Sequence, residues 1–143
     1  MKVTHEVISR AIKYAWAFPA TVLGLMMVMI ACVSGGRCRL HTGVVEVWGG
    51  WVTWFLEKVV PLEGGAIAMT IGHVVIARSE ADADRTRLHE RIHVRQYERL
   101  GPVFIPLYFA LSLRCWWRGQ DAYYDNPFER EAYAVDDASE LHN

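Results

Sequence analysis

His89, Glu90 and His93 are spaced as His-Glu-x-x-His within residues 84–100, a run without Gly or Pro that halts at Gly101-Pro102. Such a run predicts a helix with a sharp end. Residues four apart share a helix face, so the two imidazoles can address one ion while Glu90 projects beside them. Neutral imidazole is a good zinc donor, and a helix holds two of them at fixed spacing without loop entropy. A catalytic zinc takes three protein ligands and leaves one position for water, whose pKa drops to about 7 on binding. Glu90 directly follows the first histidine and suits the role of general base toward that water rather than of ligand. A third ligand must come from elsewhere in the chain.

Downstream, Asn126 is a natural N-cap and Pro127 a natural first helical residue, so a second polar helix is expected to begin there. It carries Glu129 and Glu131, and either carboxylate is placed to reach across to the first helix. Glu129 is preferred, although Asn126-x-x-Glu129 is also a capping box, in which the glutamate only returns to the cap amide. His89-Glu90-x-x-His93 followed by Glu129-Arg130-Glu131-Ala132 resembles the gluzincin zinc metallopeptidases, in particular small membrane-associated bacterial members of uncharacterised function. In those enzymes the ligand glutamate opens an E-x-x-A-D pattern on a later helix. The resemblance spans the C-terminal half of the chain and implies a zincin-like domain with Zn2+ held by His89, His93 and Glu129. It further implies Glu90 as the catalytic base, a peptide or protein substrate, and a bacterial inner-membrane location. Tyr133 stands where the pattern carries the acid that steadies the zinc-binding histidines. Tyr123, Tyr124 and Tyr133 are the candidates for stabilising the anionic tetrahedral intermediate.

The first helix must be positioned by packing. Leu88, Ile92 and Leu100 are expected to form its buried stripe, with His89, His93 and Gln96 at the stripe's edge and Arg87, Arg91, Arg95 and Arg99 in solvent.

From Tyr14 to Val33 no residue is charged. About 20 residues at about 1.5 Å each match a bilayer core, so this stretch predicts a single membrane-spanning helix, with Tyr14 and Trp16 at the interface and Pro19 tolerated within it. A cleaved signal peptide ending near Ser34-Gly35-Gly36 is the alternative. Residues 3–12 have the apolar spacing of an amphipathic lead-in lying on the membrane surface, or of a plain helical extension. Charges on the two sides of the span leave its orientation open. The expected division is an anchor over residues 1–36 and the zincin-like domain over residues 37–143. A second apolar run, residues 103–117, contains Pro106 and Arg114 and reaches only about 22 Å, so a buried or interfacial helix is preferred there over a second span.

Between anchor and motif, residues 43–48 alternate as a strand, and residues 51–60 fit a strand or a short amphipathic helix. Residues 66–77 read as one strand or a strand pair, with Gly72 as a bulge. In the peptidases the chain resembles, a strand just before the motif helix borders the cleft and takes up the substrate as an added strand, and this segment is the candidate for it. His73 within it is expected to be structural. The class is therefore α+β, with a zinc site between two helices.

With 143 residues, 52% of them hydrophobic, and a net charge of -1, the chain offers no basic tract for nucleic acid. Its three cysteines are odd in number and lack C-x-x-C spacing, so neither a disulfide framework nor a cysteine zinc site is expected, and Cys32 is expected to pack. The tail after Asp137 is expected to fray. The rival reading is a membrane-anchored, non-enzymatic zinc-binding or scaffold protein that binds partners. A fourth protein ligand closing the metal site would favour it.

Overall fold

The structure is a computed structural model that describes residues 2–140. Helix α1 (Lys2–Val33) leads into the hairpin β1 (Arg37–His41) and β2 (Val44–Trp48), then α2 (Trp51–Lys58). A second hairpin, β3 (Ala68–Ile71) and β4 (Val74–Ala77), precedes the short α3 (Glu80–Arg85) and then α4 (Arg87–Leu100). A 3-10 turn at Gly101–Val103 joins α4 to α5 (Phe104–Trp117), and α6 (Pro127–Glu140) closes the described chain.

The four strands make one sheet in the order β1-β2-β4-β3, antiparallel in both hairpins and parallel where β2 meets β4. Each hairpin turns in two residues. Thr42 and Gly43 both have positive φ (44° and 80°), as a type I′ turn requires. At the other hairpin Gly72 alone has positive φ (64°), so it opens the turn and the strand is not bulged there. Residues 51–58 are helical because Val52 and Leu56, four apart, both bury against the sheet.

The uncharged N-terminal stretch is helical, and it is not free of the rest. Ala17, Ala20, Met27 and Ala31 are buried along one side, and Met27 and Ala31 share a core cluster with Val47, Val52, Leu56, Val74 and Ile76. Small side chains let the helix approach closely: a Cβ on Gly24 would lie 2.7 Å from the Ile71 carbonyl oxygen. α1 thus shares a core with the sheet and α2. The other side of α1 exposes Phe18, Val22, Leu23, Met26, Met29, Ile30 and Val33. Of the lead-in, Val7, Ile8 and Ile12 are exposed on a helix continuous with α1.

Two helical stretches, Val7–Val33 and Arg87–Trp117, are long and apolar enough to cross a membrane. The second is broken at Gly101, whose φ of 57° ends α4 and turns the chain into the 3-10 connection. It therefore consists of two helices of 14 residues each. The apolar one, α5, spans about 21 Å.

Two packing expectations are corrected. Leu88 is half exposed, while His89, Glu90, Ile92, His93, Val94, Gln96 and Tyr97 are buried. The face of α4 that goes inward is chosen by polar partners on α6 and β3, described below, and the apolar Leu88 is left on the outer side. Cys32 is exposed rather than packed, because it lies on the outer side of α1 next to Val33. Residues 138–140 continue α6, and the last three residues of the expected frayed tail lie outside the described residues.

Candidate metal centre

α4 is set in place at its start. Glu46 on β2 is almost fully buried and accepts hydrogen bonds from Arg87 Nε (2.9 Å) and Arg39 Nε (2.7 Å). The paired guanidiniums outweigh the cost of burial and hold this carboxyl below the usual range. Arg87 lies two residues before His89, so the ion pair between strand and helix fixes the angle at which the motif enters the core. On the C-terminal side, Trp16 covers Gly101, where any Cβ would lie 2.5 Å from Trp16 Nε1.

α6 begins as its sequence demands. Asn126 Oδ1 caps it by accepting from Phe128 N–H (3.0 Å), and the Asn126 side-chain amide donates to Tyr108 O and Ser112 Oγ. The Asn126 backbone N–H is engaged by Tyr123 O (3.0 Å). Glu129 is therefore not used as the second half of a capping box. Its Oε2 lies 3.1 Å from His89 Nε2 and 3.4 Å from His93 Nε2, and the two Nε2 atoms lie 3.2 Å apart. His89, His93 and Glu129 are all buried, and their donor atoms lie within 4.8 Å of one another, close enough to hold one metal ion. Two imidazoles and a carboxylate suit zinc. Glu131 is elsewhere, bonded to Gln96 Nε2 (2.9 Å) and Arg99 (3.0 Å).

The outer ring nitrogens and the second carboxylate oxygen are also occupied. His89 Nδ1 meets Asp136 Oδ2 at 3.0 Å, and His93 Nδ1 meets Gln96 Oε1 at 2.8 Å. Gln96, fully buried, passes the link on by donating to Phe128 O and Glu131. Tyr108 on α5 donates to Glu129 Oε1 at 2.6 Å. With each Nδ1 facing a carboxylate or amide oxygen, both rings turn Nε2 toward the common point, where a neutral ring would offer its lone pair to a metal. Asp136, one turn beyond Tyr133 on α6, is thus placed to fix the orientation of the His89 ring. Tyr133 sets its ring edge-on to His89, with centroids 4.5 Å apart.

Asp136, Tyr108 and Thr70 escape a reading of the sequence alone, and Gln96 enters it only as a flank of the buried stripe. Gln96 and Asp136 carried a usable signal, each being seven residues after a metal donor and so on its face of the helix. Tyr108 and Thr70 carried none, because their roles depend on how α5 and the sheet dock.

Glu90 is buried and accepts a hydrogen bond from Thr70 Oγ1 on β3 at 2.6 Å. Burial pushes its carboxyl above the usual range, against the opposing pull of His93 and the Thr70 bond. Burial would likewise raise Glu129, but hydrogen bonds from His89 and His93 outweigh it and hold that carboxyl at about 2. Two neighbouring carboxylates therefore differ in proton affinity, Glu129 being held ionised while Glu90 favours its proton.

Of the three tyrosines singled out in the sequence, Tyr133 lies against His89, and Tyr123 packs edge-on and Tyr124 tilted against Tyr133, with centroids 6.5 and 5.8 Å away. A separate cleft of about 400 Å³ lies across α4 from the metal donors, lined by Tyr14, His41, His73, Arg91 and Arg95 among others. There His73 stacks on Tyr14 (4.0 Å) and bonds Thr21 and Glu98, a structural role away from the metal centre.

No family model, curated protein or solved structure matches the chain. What bears on its chemistry is the cluster itself.

Proposed function

We propose that this chain is a membrane-attached zinc peptidase of gluzincin type, with His89, His93 and Glu129 as ligands and Glu90 as general base. The observation that carries the proposal is the meeting of three donors from two helices around one point, with a second carboxylate, Glu90, directly after His89 on α4 and held by Thr70. Among the described residues the group has three members, which leaves a tetrahedral ion one position without a protein ligand. Zinc, when bound, polarises a carbonyl and lowers the pKa of water at that position. Glu90 takes up the proton and returns it to the leaving amine, and Tyr133, whose ring lies against His89, is the candidate to share the developing negative charge.

An extended peptide has a place to bind. β3 is an edge strand, and the hydrogen bond from Arg78 N–H to Ile67 O sets the register so that Ala68 and Thr70 turn their backbone groups outward. Thr70 also holds Glu90, so a chain added to this edge would run past the base.

α1 supplies the attachment. The sheet seated along its inner side carries strand edges and, on β1, Arg37 and Arg39, and open backbone groups cost several kcal/mol each in hydrocarbon. The outer side of α1 from Phe18 to Ile30, opposite the seated sheet, is thus the surface that meets lipid.

The burial of all four site residues favours one competing reading, a non-enzymatic zinc-binding or scaffold protein. Zinc analysis of wild type and Glu90→Gln, paired with a peptide-hydrolysis assay, separates the two. The peptidase reading expects about one zinc in each protein and hydrolysis in the wild type only. Zinc without hydrolysis in the wild type supports the scaffold.

A further inference from the structure

The end of α1 is a tightly held chain reversal. Gly36 N–H donates to Ala31 O at 2.7 Å and Gly35 N–H to Cys32 O at 3.4 Å, with Gly35 at a φ of 91°, which together make a Schellman cap. Ser34 Oγ bonds the Ile30 carbonyl and accepts from Trp51 N–H at 2.8 Å, which ties the reversal to α2. Six residues after Cys32, Cys38 sits in β1, paired with Val47 in the sheet. Both thiols are exposed, and their sulfurs are 3.9 Å apart. A rigid turn therefore presents two accessible thiols from different elements within about one side-chain rotation of bonding distance.

We propose that Cys32 and Cys38 are a thiol pair that closes to an intramolecular disulfide by exchange with a small or protein disulfide, stapling the end of α1 to β1. One thiolate attacks the external disulfide, forms a mixed disulfide and expels one external thiol. The second cysteine's thiolate then attacks the protein sulfur of that mixed bond, forms the Cys32–Cys38 bond and expels the other external thiol. The protein loses two electrons and two protons, and the external disulfide is reduced to two thiols. Because the partner thiol is already in place, the second step is effectively unimolecular and outruns accumulation of the mixed disulfide. Cys115, buried with its thiol bonded to Asp125 O at 3.3 Å, stands apart from this chemistry.

The test uses the full chain in detergent, reduced, freed of reductant and incubated with oxidised glutathione. Before oxidation two thiols react rapidly with a chromogenic disulfide and the third only after unfolding. Afterwards no rapidly reacting thiol remains, the intact mass falls by two hydrogens, and a cross-linked peptide joins Cys32 to Cys38. The Cys38→Ser variant should instead retain one glutathione adduct on Cys32, and Cys115→Ser should behave as wild type. The oxidised form should melt on the order of 5 °C higher than the reduced form, since the bond removes freedom from the unfolded chain. Lasting glutathione adducts on wild type, disulfide-linked dimers, or an unchanged melting temperature would overturn the proposal.

Discussion

His89 is gripped from both ends by α6: Nδ1 lies 3.0 Å from Asp136 Oδ2 and Nε2 lies 3.1 Å from Glu129 Oε2. One helix thus supplies both a prospective fellow ligand and the acid that orients the ring. Removing the acid's charge should leave the fold in place, because Asp136 is partly exposed, and weaken the metal. Asp136→Asn is expected to lower zinc affinity about 10- to 100-fold, measured by chelator competition. An unchanged affinity would mean that the contact does not orient the ring.

Gln96 bridges His93, Phe128 and Glu131 from a fully buried position. Gln96→Leu fills nearly the same volume but leaves His93 Nδ1 and the Phe128 carbonyl without their partner. The variant should lose about 2–4 kcal/mol of stability by denaturant unfolding, as well as zinc affinity. A loss of affinity with full stability would show Gln96 to be only a tautomer control.

The metal-free centre is a shared ion pair, and its titration has a defined sign. Burial lowers His93, but the hydrogen bond to Glu129 outweighs it and raises the ring from 6.5 to about 9. The associated stabilisation is complete below pH 6.5 and disappears as pH rises through about 9. Glu129, held at about 2 against a usual 4.5, contributes stabilisation that is present above pH 4.5 and lost as pH falls toward 2. Both shifts describe the same pair and do not add. Melting temperature in chelator should therefore peak between these limits and fall on the alkaline side, whereas saturating zinc, which needs neutral imidazole, should move the peak upward. A flat metal-free profile between pH 6 and 9 would contradict the pairing.

The hairpin turn at Gly72 lies directly against α1. A Cβ there would lie 2.4 Å from Thr21 N, on a residue whose φ is 64°. Gly72→Ala combines backbone strain with overpacking and is expected to cost about 2–4 kcal/mol, or on the order of 10 °C in melting temperature. An unaffected variant would mean that α1 is not seated on the sheet in solution.

The histidine pair was legible because helical spacing is a local rule, and α6 was legible from Asn126 and Pro127 for the same reason. Cores shared between distant segments were not. An apolar stripe that faces lipid has the same composition as one that faces a sheet, and only the small residues Ala17, Ala20, Gly24 and Ala31 hinted that α1 packs closely against protein. Leu88 misled because hydropathy assigns it inward, while the inward face of α4 is decided by bonds from Gln96, His93 and Glu90 to groups on α6 and β3. Buried Glu46 is a similar case, since its two arginine partners lie 7 and 41 residues away.

The two carboxylates of α6 give the sharpest discrimination. Glu129 is buried among both imidazoles and Tyr108, whereas Glu131 is about half exposed and bonded to Arg99 and Gln96. Glu129→Ala removes a donor atom from the cluster and leaves two ligands, which cannot make a tight zinc site. Glu131→Ala removes only a surface ion pair, worth about 1 kcal/mol or less, and one of the bonds that hold Gln96. Metal content after dialysis should thus fall to near zero in the first variant and stay near wild type in the second. Because Glu129→Ala also leaves His89, His93 and the Tyr108 hydroxyl without their acceptor, Glu129→Gln serves as a control that keeps shape and hydrogen bonding while weakening the ligand. If Glu131→Ala lost the metal and Glu129→Gln kept it, the donor set would be wrong, and with it the assignment of Glu90 as the base beside it.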